Sequence, residues 1–265
     1  MSRKEDYEKN KQYIIDEGLD CLIDFEENIN FEETAFDSVH NKMKIPYPPE
    51  SNDLIRLHKL IRQRKSFTIC EFGLGYSTLI MADALLKNKL EYENIKNKPD
   101  IRNSNMFKLF CVDPNKKWIK HCKAILPKNL KDIVVFHYSP VSVDKFNGQL
   151  CHTFDNLPNI IPDFIYLDGP NIADVKGSIN GLSFDTCYER TVMSADLLLM
   201  ESTFLPGLII VIDGRTNNAR FLQNNFKRKY KIQHMVESDV TIVELDEKRL
   251  GKRNILGSDF MGNNK

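Results

Sequence analysis

Five compact apolar runs punctuate the chain, at Phe67–Glu71, Phe107–Asp113, Ile133–His137, Asp163–Asp168 and Leu208–Ile212. Each is short and nearly continuous in apolar residues, the pattern of a strand covered on both faces. Between the runs, apolar positions switch to helical spacing. Leu54, Leu57, Leu60 and Ile61 share one face behind the N-cap cluster Ser51-Asn52-Asp53, and Tyr76–Lys89 reads as a helix directly after a glycine turn. Trp118, Ile119, Cys122, Ile125 and Leu126 form the next helical face, ended by Pro127. Val192, Ala195, Leu198 and Leu199 form another, and Phe221, Leu222 and Phe226 lie on a helix over Asn218–Lys229. Two last strands, Lys231–Val236 and Val240–Leu245, are separated by a tight turn and must pair antiparallel, since a parallel return needs a long crossover. Strands alternating with helices predict an α/β fold with a parallel sheet.

The intervening stretches lack this rhythm. Residues 1–50 read as an N-terminal helical appendage, with a helix near 4–17 and a segment ending Ile45-Pro46-Tyr47-Pro48-Pro49. Tyr47 suits a lid over a ligand, and an inert packing arm is the equal alternative. Residues 51–246 form the main domain. Within it, 87–105 reads as a polar surface insertion, Tyr138–Pro162 as loop, and 171–186 as a mobile Gly/Ser/Asn-rich loop. Residues 247–265 read as a flexible tail.

Composition narrows the function classes. Lysine plus arginine equals aspartate plus glutamate at 37 each, without the basic surplus that a nucleic-acid partner calls for. The six cysteines form no C-x-x-C pair, and Cys70 and Cys111 sit in apolar runs as small hydrophobes. A disulfide framework or zinc site is not expected, and a reducing, cytoplasmic setting is. No stretch reaches the ~18 apolar residues of a membrane span.

The chemistry concentrates at Thr68–Thr78. An apolar strand runs through Glu71 into Gly73-Leu74-Gly75, then a polar helix start at Tyr76-Ser77-Thr78. Glycine turns let the backbone approach a nucleotide-like ligand closely. Dinucleotide folds seat a pyrophosphate with a third glycine, but Thr78 stands there, and Glu71 would repel phosphate. A carboxylate suits a ligand carrying ammonium and sulfonium groups, such as S-adenosylmethionine.

The segment Glu71-Phe72-Gly73-Leu74-Gly75-Tyr76-Ser77 resembles the first motif of class I S-adenosylmethionine-dependent methyltransferases, and the resemblance covers roughly residues 50–246. It implies a Rossmann-like fold, with a mostly parallel seven-stranded sheet, a C-terminal antiparallel hairpin and helices on both faces. By the same resemblance, Glu71, Gly73, Gly75, Tyr76 and Ser77 hold the methionine moiety. Asp113 takes the ribose hydroxyls, and Tyr138 and Ser139 approach the adenine. Asp113 stands 42 positions after Glu71, beyond the ~20 of a nucleotide-binding unit, and the insertion at 87–105 accounts for the excess. Trp118 reads as core, with an approach to adenine as its other reading.

Methyl transfer to a hydroxyl needs in-line positioning and a base or metal to free the oxygen. Asp168, in Tyr166-Leu167-Asp168-Gly169-Pro170-Asn171, falls where the family places its catalytic loop, and His152 and His137 are further candidate bases. Catechol-type relatives bind magnesium through aspartates after strands four and five, so Asp168 and Asp213 are candidate magnesium ligands, with Asn217 or Asn218 adding an amide oxygen. Arg215 suits an anionic acceptor or a surface ion pair. Around Asp168-Gly169-Pro170 and Val211–Arg215 the chain resembles bacterial methyltransferases of capsular and surface-polysaccharide biosynthesis. That implies a small or carbohydrate-linked acceptor, methylated on a sugar hydroxyl or a phosphate-type decoration. An NAD-dependent oxidoreductase and a non-catalytic cofactor-binding scaffold remain as alternatives, and the oligomeric state stays open.

Overall fold

The computed structural model describes residues 3–27, 29–30, 48–187 and 189–257. Helix α1 (Arg3–Asp16) leads to α2 (Ser51–Arg64), β1 (Thr68–Phe72), α3 (Tyr76–Glu93), β2 (Lys108–Asp113), α4 (Lys116–Ile125) and β3 (Val134–Tyr138). Next come β4 (Val141–Phe146), β5 (Gln149–Phe154), β6 (Phe164–Leu167), the short α5 (Asp196–Met200), β7 (Ile209–Asp213), α6 (Thr216–Asn225), β8 (Tyr230–Met235) and β9 (Val240–Leu245). Seven strands form one sheet in the order β3-β2-β1-β6-β7-β9-β8. Its first five are mutually parallel, and β9 runs antiparallel between β7 and β8. This is the Rossmann-like, mostly parallel sheet with a C-terminal hairpin.

Strand periodicity sorts the core. Cys70, Phe72, Ile165, Leu167, Ile210 and Ile212 bury on one face, while Ile69, Cys111, Phe164, Tyr166 and Val211 bury on the other. Successive side chains of a strand point to opposite faces, so a sheet covered twice needs near-continuous apolar strands.

Several expectations are corrected. Tyr138–Pro162 is not loop: β4 and β5 pair as a hairpin, Val141 opposite Phe154 through Phe146 opposite Gln149. Its turn is Asn147-Gly148, both at positive φ (49° and 74°), the signature of a two-residue type I′ connection. The insertion is half helix, because α3 continues to Glu93 and buries Asn88, whose amide bonds the Ile61 and Ser66 carbonyls. The 171–186 loop is pinned by fully buried Val175 and Phe184. The tail docks as well, with buried Leu256 packed against Gly207. Helix α2 starts behind Glu50, which makes no side-chain cap bond, while Asn52 bonds Asn10 and Asp6 of α1.

The N-terminal helix is tied down through polar groups. Tyr13 Oη lies 2.7 Å from His58 Nδ1, and His58 Nε2 lies 3.0 Å from Asp83. Lys87 bridges Asp83 (2.7 Å) and Glu17 (3.0 Å). His58 is fully buried, and desolvation holds its pKa below the usual value. It is therefore a neutral imidazole, accepting from Tyr13 and donating to Asp83. At the start of the same helix, Arg3 donates to the Pro48 carbonyl (2.8 Å) and pairs with Glu50. Tyr47 lies outside the described residues. Among the described residues no helix is long and apolar enough to cross a membrane.

Candidate active site

The turns after β1 and β6 touch. Gly73 has φ 98°, and a Cβ there would lie 2.9 Å from the Gly169 nitrogen, while a Cβ on Gly169 would lie 2.5 Å from the Gly73 nitrogen. No side chain fits between them, so both positions require glycine. Around this contact, at the carboxyl ends of the parallel strands, opens a cavity of about 640 Å³. Open α/β sheets bind ligands at that edge, and the volume suits a small-molecule site.

One half of the cavity is bounded by Gly73, Gly75, Tyr76, Ser77, Asp113 and Trp118. Gly75 is extended, and an added Cβ would meet nothing nearer than Ser77 Oγ at 4.0 Å, so the glycine leaves room for a ligand. Asp113 is almost fully buried and accepts from the Asn115 N–H through Oδ1 (2.6 Å). No described residue bonds its Oδ2. Burial pushes Asp113 up to about 7. Trp118 is half-buried in the cavity wall and not in the core. Asn115 caps α4, accepting from Lys117 and Trp118 N–H, and so sets the indole beside Asp113.

Glu71 occupies a different place from the one expected of a direct ligand. It is fully buried behind the turn, where Ser77 Oγ donates to Oε1 (2.6 Å) and Thr78 Oγ1 to Oε2 (2.7 Å). Thr78 Oγ1 also accepts from the Gly75 N–H at 3.3 Å. Glu71 thus braces the glycine turn from beneath, and the hydroxyl of Thr78 explains why no third glycine is present. Desolvation pushes Glu71 up to about 7, against these hydrogen bonds.

The other half of the cavity is acidic and includes Glu50, Asp53, Asp168 and Asp213, with Pro48 and Pro49 at its edge. Burial and the nearby Asp168 and Asp53 push Asp213 up to about 7, while Tyr166 Oη donates to its Oδ2. Asp168 opens onto the cavity with its side chain 52% exposed, where partial desolvation raises its pKa and Arg215 opposes the rise. Arg215 donates to the Asp168 carbonyl and stands 3.7 Å from Asp168 Oδ1, and its Nε is buried without a partner.

Other expected residues fall elsewhere. His152 is fully buried on β5, between Phe154 and Phe184, with neither ring nitrogen bonded and its pKa pushed down to about 3 by burial and then by Arg215. His137 bonds the Asn156 carbonyl (3.0 Å), and neither histidine lines the cavity. Tyr138 is 42% exposed under Lys116 and also lies outside the lining. Among the described residues no three His, Cys, Asp or Glu side chains gather as a metal site. With Asp168 facing a guanidinium and Asp213 bonded by Tyr166, the donor set does not fit magnesium. Sequence reasoning missed the wall formed by Glu50 and Asp53, which the prolines at 48–49 and the cap-like 51–53 cluster flagged only as a helix start.

No protein-family model matches the chain, and no curated protein matches it. Among solved structures it is similar to the SAH-bound methyltransferase PaMTH1 of Podospora anserina, at 12% identity over 80% of this chain and 86% of that one, with TM-score 0.46. A putative caffeoyl-CoA O-methyltransferase from Staphylococcus aureus is 12% identical over 90% of this chain and 99% of that one, with TM-score 0.45. The O-methyltransferase TomG of Streptomyces achromogenes, solved with SAM and involved in tomaymycin synthesis, is 14% identical over 82% and 92%, with TM-score 0.43.

Proposed function

We propose that this chain is an S-adenosylmethionine-dependent methyltransferase acting on oxygen. The observation that carries the reading is the Asp113 carboxylate, held beside Trp118 and the Gly73–Gly75 cradle with Oδ2 unbonded by the protein. A carboxylate at the end of the second strand matches a ribose diol, an indole offers a face to adenine, and an extended glycine leaves space for the methionine portion. When bound, the cofactor supplies an electrophilic methyl on sulfonium. The protein's own work is then to hold an acceptor oxygen in line with it and take the acceptor's proton.

Asp168 and Asp213 suit that second task. Both face the cavity, and both are raised toward neutrality, where a carboxylate accepts a proton most usefully. Arg215 steadies Asp168, and its positive charge at the cavity wall favours an oxygen on which negative charge develops. Carboxylates surrounding one engaged arginine repel phosphate, so a neutral sugar hydroxyl of a surface-polysaccharide precursor fits better than a phosphate-type decoration.

Calorimetric titration with S-adenosylhomocysteine tests the reading. Micromolar binding is expected, weakened at least tenfold (~1.4 kcal/mol) by Asp113→Asn, with no binding of NAD. Binding of NAD but not S-adenosylhomocysteine by the folded protein would overturn it in favour of an oxidoreductase.

A further inference from the structure

Although the chain as a whole is neutral, its charge is not evenly spread. Between Pro114 and Lys131 there are six lysines, at 116, 117, 120, 123, 128 and 131, together with His121 and no aspartate or glutamate. All six lysines are exposed. Among the described residues none of them makes an ion pair, whereas Lys65, Lys87, Lys89, Lys176 and Lys229 elsewhere each do. Helix α4 buries only Ile119 and Cys122, and at about 100° per residue Lys116, Lys117, Lys120 and Lys123 share one arc of about a third of its circumference. The same side continues onto β3, the edge strand of the sheet. There the Lys116 ammonium sits 4.4 Å from the centre of the Tyr138 ring, and Lys123 sits 5.3 Å from that of Phe136.

We infer that this face docks the protein on an anionic lipid surface. Unpaired lysines on α4 and on the turn that follows it, at 128 and 131, are attracted to a negatively charged leaflet, by about 1 kcal/mol each, which is about fivefold in partitioning. The chemistry of the patch sets lipid apart from nucleic acid. A single strand calls for aromatic faces on which bases stack, and an ammonium group already lies over one face of each of the two rings beside the stripe. Every charge on the stripe is a lysine, with none of the planar forks by which arginine grips individual phosphates. A diffuse, laterally mobile field of headgroups asks for point charges of this kind. The inference does not depend on the reaction proposed above.

Flotation of the full chain with vesicles tests it directly. Binding is expected to vesicles of phosphatidylcholine with about one-third phosphatidylglycerol at low salt, and not to phosphatidylcholine alone. It should be lost in 0.5 M salt (roughly; the Debye length there is only a few Å). Replacing Lys120, Lys123, Lys128 and Lys131 by Gln should lower partitioning at least about a hundredfold. The same change at exposed Lys145, Lys227, Lys231 and Lys248 should leave it within about threefold, the scatter expected of weak surface charges, with thermal melts confirming that both sets fold. Absence of wild-type binding to the anionic vesicles overturns the inference, as does equal loss from the two lysine sets. So does displacement from vesicles by a single-stranded RNA oligonucleotide at far lower phosphate concentration, which would assign the face to nucleic acid.

Discussion

Gly73 and Gly75 stand two positions apart and are glycine for different reasons. Gly73 is bound by conformation and contact, with positive φ and the Gly169 backbone against the missing Cβ. Gly75 is bound by neither and is open toward the cavity. Gly73→Ala should therefore lower stability by about 1–3 kcal/mol, read as a drop in melting temperature. Gly75→Val should leave the melt nearly unchanged while weakening S-adenosylhomocysteine at least tenfold (~1.4 kcal/mol). If both variants lost stability alike, the open cradle at Gly75 would be wrong. The sequence showed two glycines in a turn but not this division of labour, because the partner of Gly73 lies nearly a hundred residues away. Trp118 illustrates the same limit. Its spacing with Ile119 and Cys122 places it on an amphipathic helix, yet whether the edge of that helix meets core or cavity depends on how α4 lies over the sheet.

At the scale of elements, the main-sheet strands were legible as continuous apolar runs, while the seven-stranded, mostly parallel sheet that joins them came from the resemblance and not from the pattern. The β4–β5 hairpin was not read, although Asn147-Gly148 is a strong local turn signal and Val141, Val143 and Cys151 supply alternating apolar positions on its strands. The stretch reads as loop because its apolar positions are scattered and polar residues flank the turn. The docking of α1 was equally hidden: its apolar residues are few, and beside Ile14, buried against Leu54, Ile55, Leu79 and Ile80, it is held by the Tyr13–His58–Asp83–Lys87–Glu17 chain of polar contacts. Tyr13→Phe leaves a buried imidazole nitrogen unbonded, which should cost about 1–3 kcal/mol. Because Arg3 on the same helix holds Pro48 and Glu50 at the cavity edge, hydrogen exchange should quicken in α1 and around residues 48–54 before it does in β1 or β6. Uniform exchange across all four segments would show that the anchor is not local.

Over the whole molecule, buried carboxylates set an unusual response to pH. Glu71, Asp113 and Asp213 are each pushed up to about 7, so the folded state holds protons that the unfolded chain releases near pH 4. Their contribution is fully present below that value and is lost as pH rises through about 7. His152 acts in the opposite sense: pushed down to about 3, it contributes fully above the unfolded value near 6.5 and loses that as pH falls toward 3. Asp163 and Asp196, each raised to about 6 by burial, act in the same sense as these three, and together they outweigh His152, predicting a melting temperature higher at pH 5.5 than at pH 8. Glu71→Gln should flatten the difference, removing about 2 kcal/mol of it at most. A melting temperature that climbs steadily from pH 5.5 to 8 in the wild type would contradict the assignment.

The Gly73–Gly169 contact has one more consequence. The turn that cradles one ligand and the turn that carries Asp168 meet backbone to backbone, so they form a single rigid jaw. Distance across the cavity is thereby fixed by peptide groups, which substitution cannot alter. On the function proposed above, preference for an acceptor would be written in the side chains at 50, 53, 168, 213 and 215, which it can. Reach and taste are inherited separately here, and a descendant could change its diet without recutting its teeth.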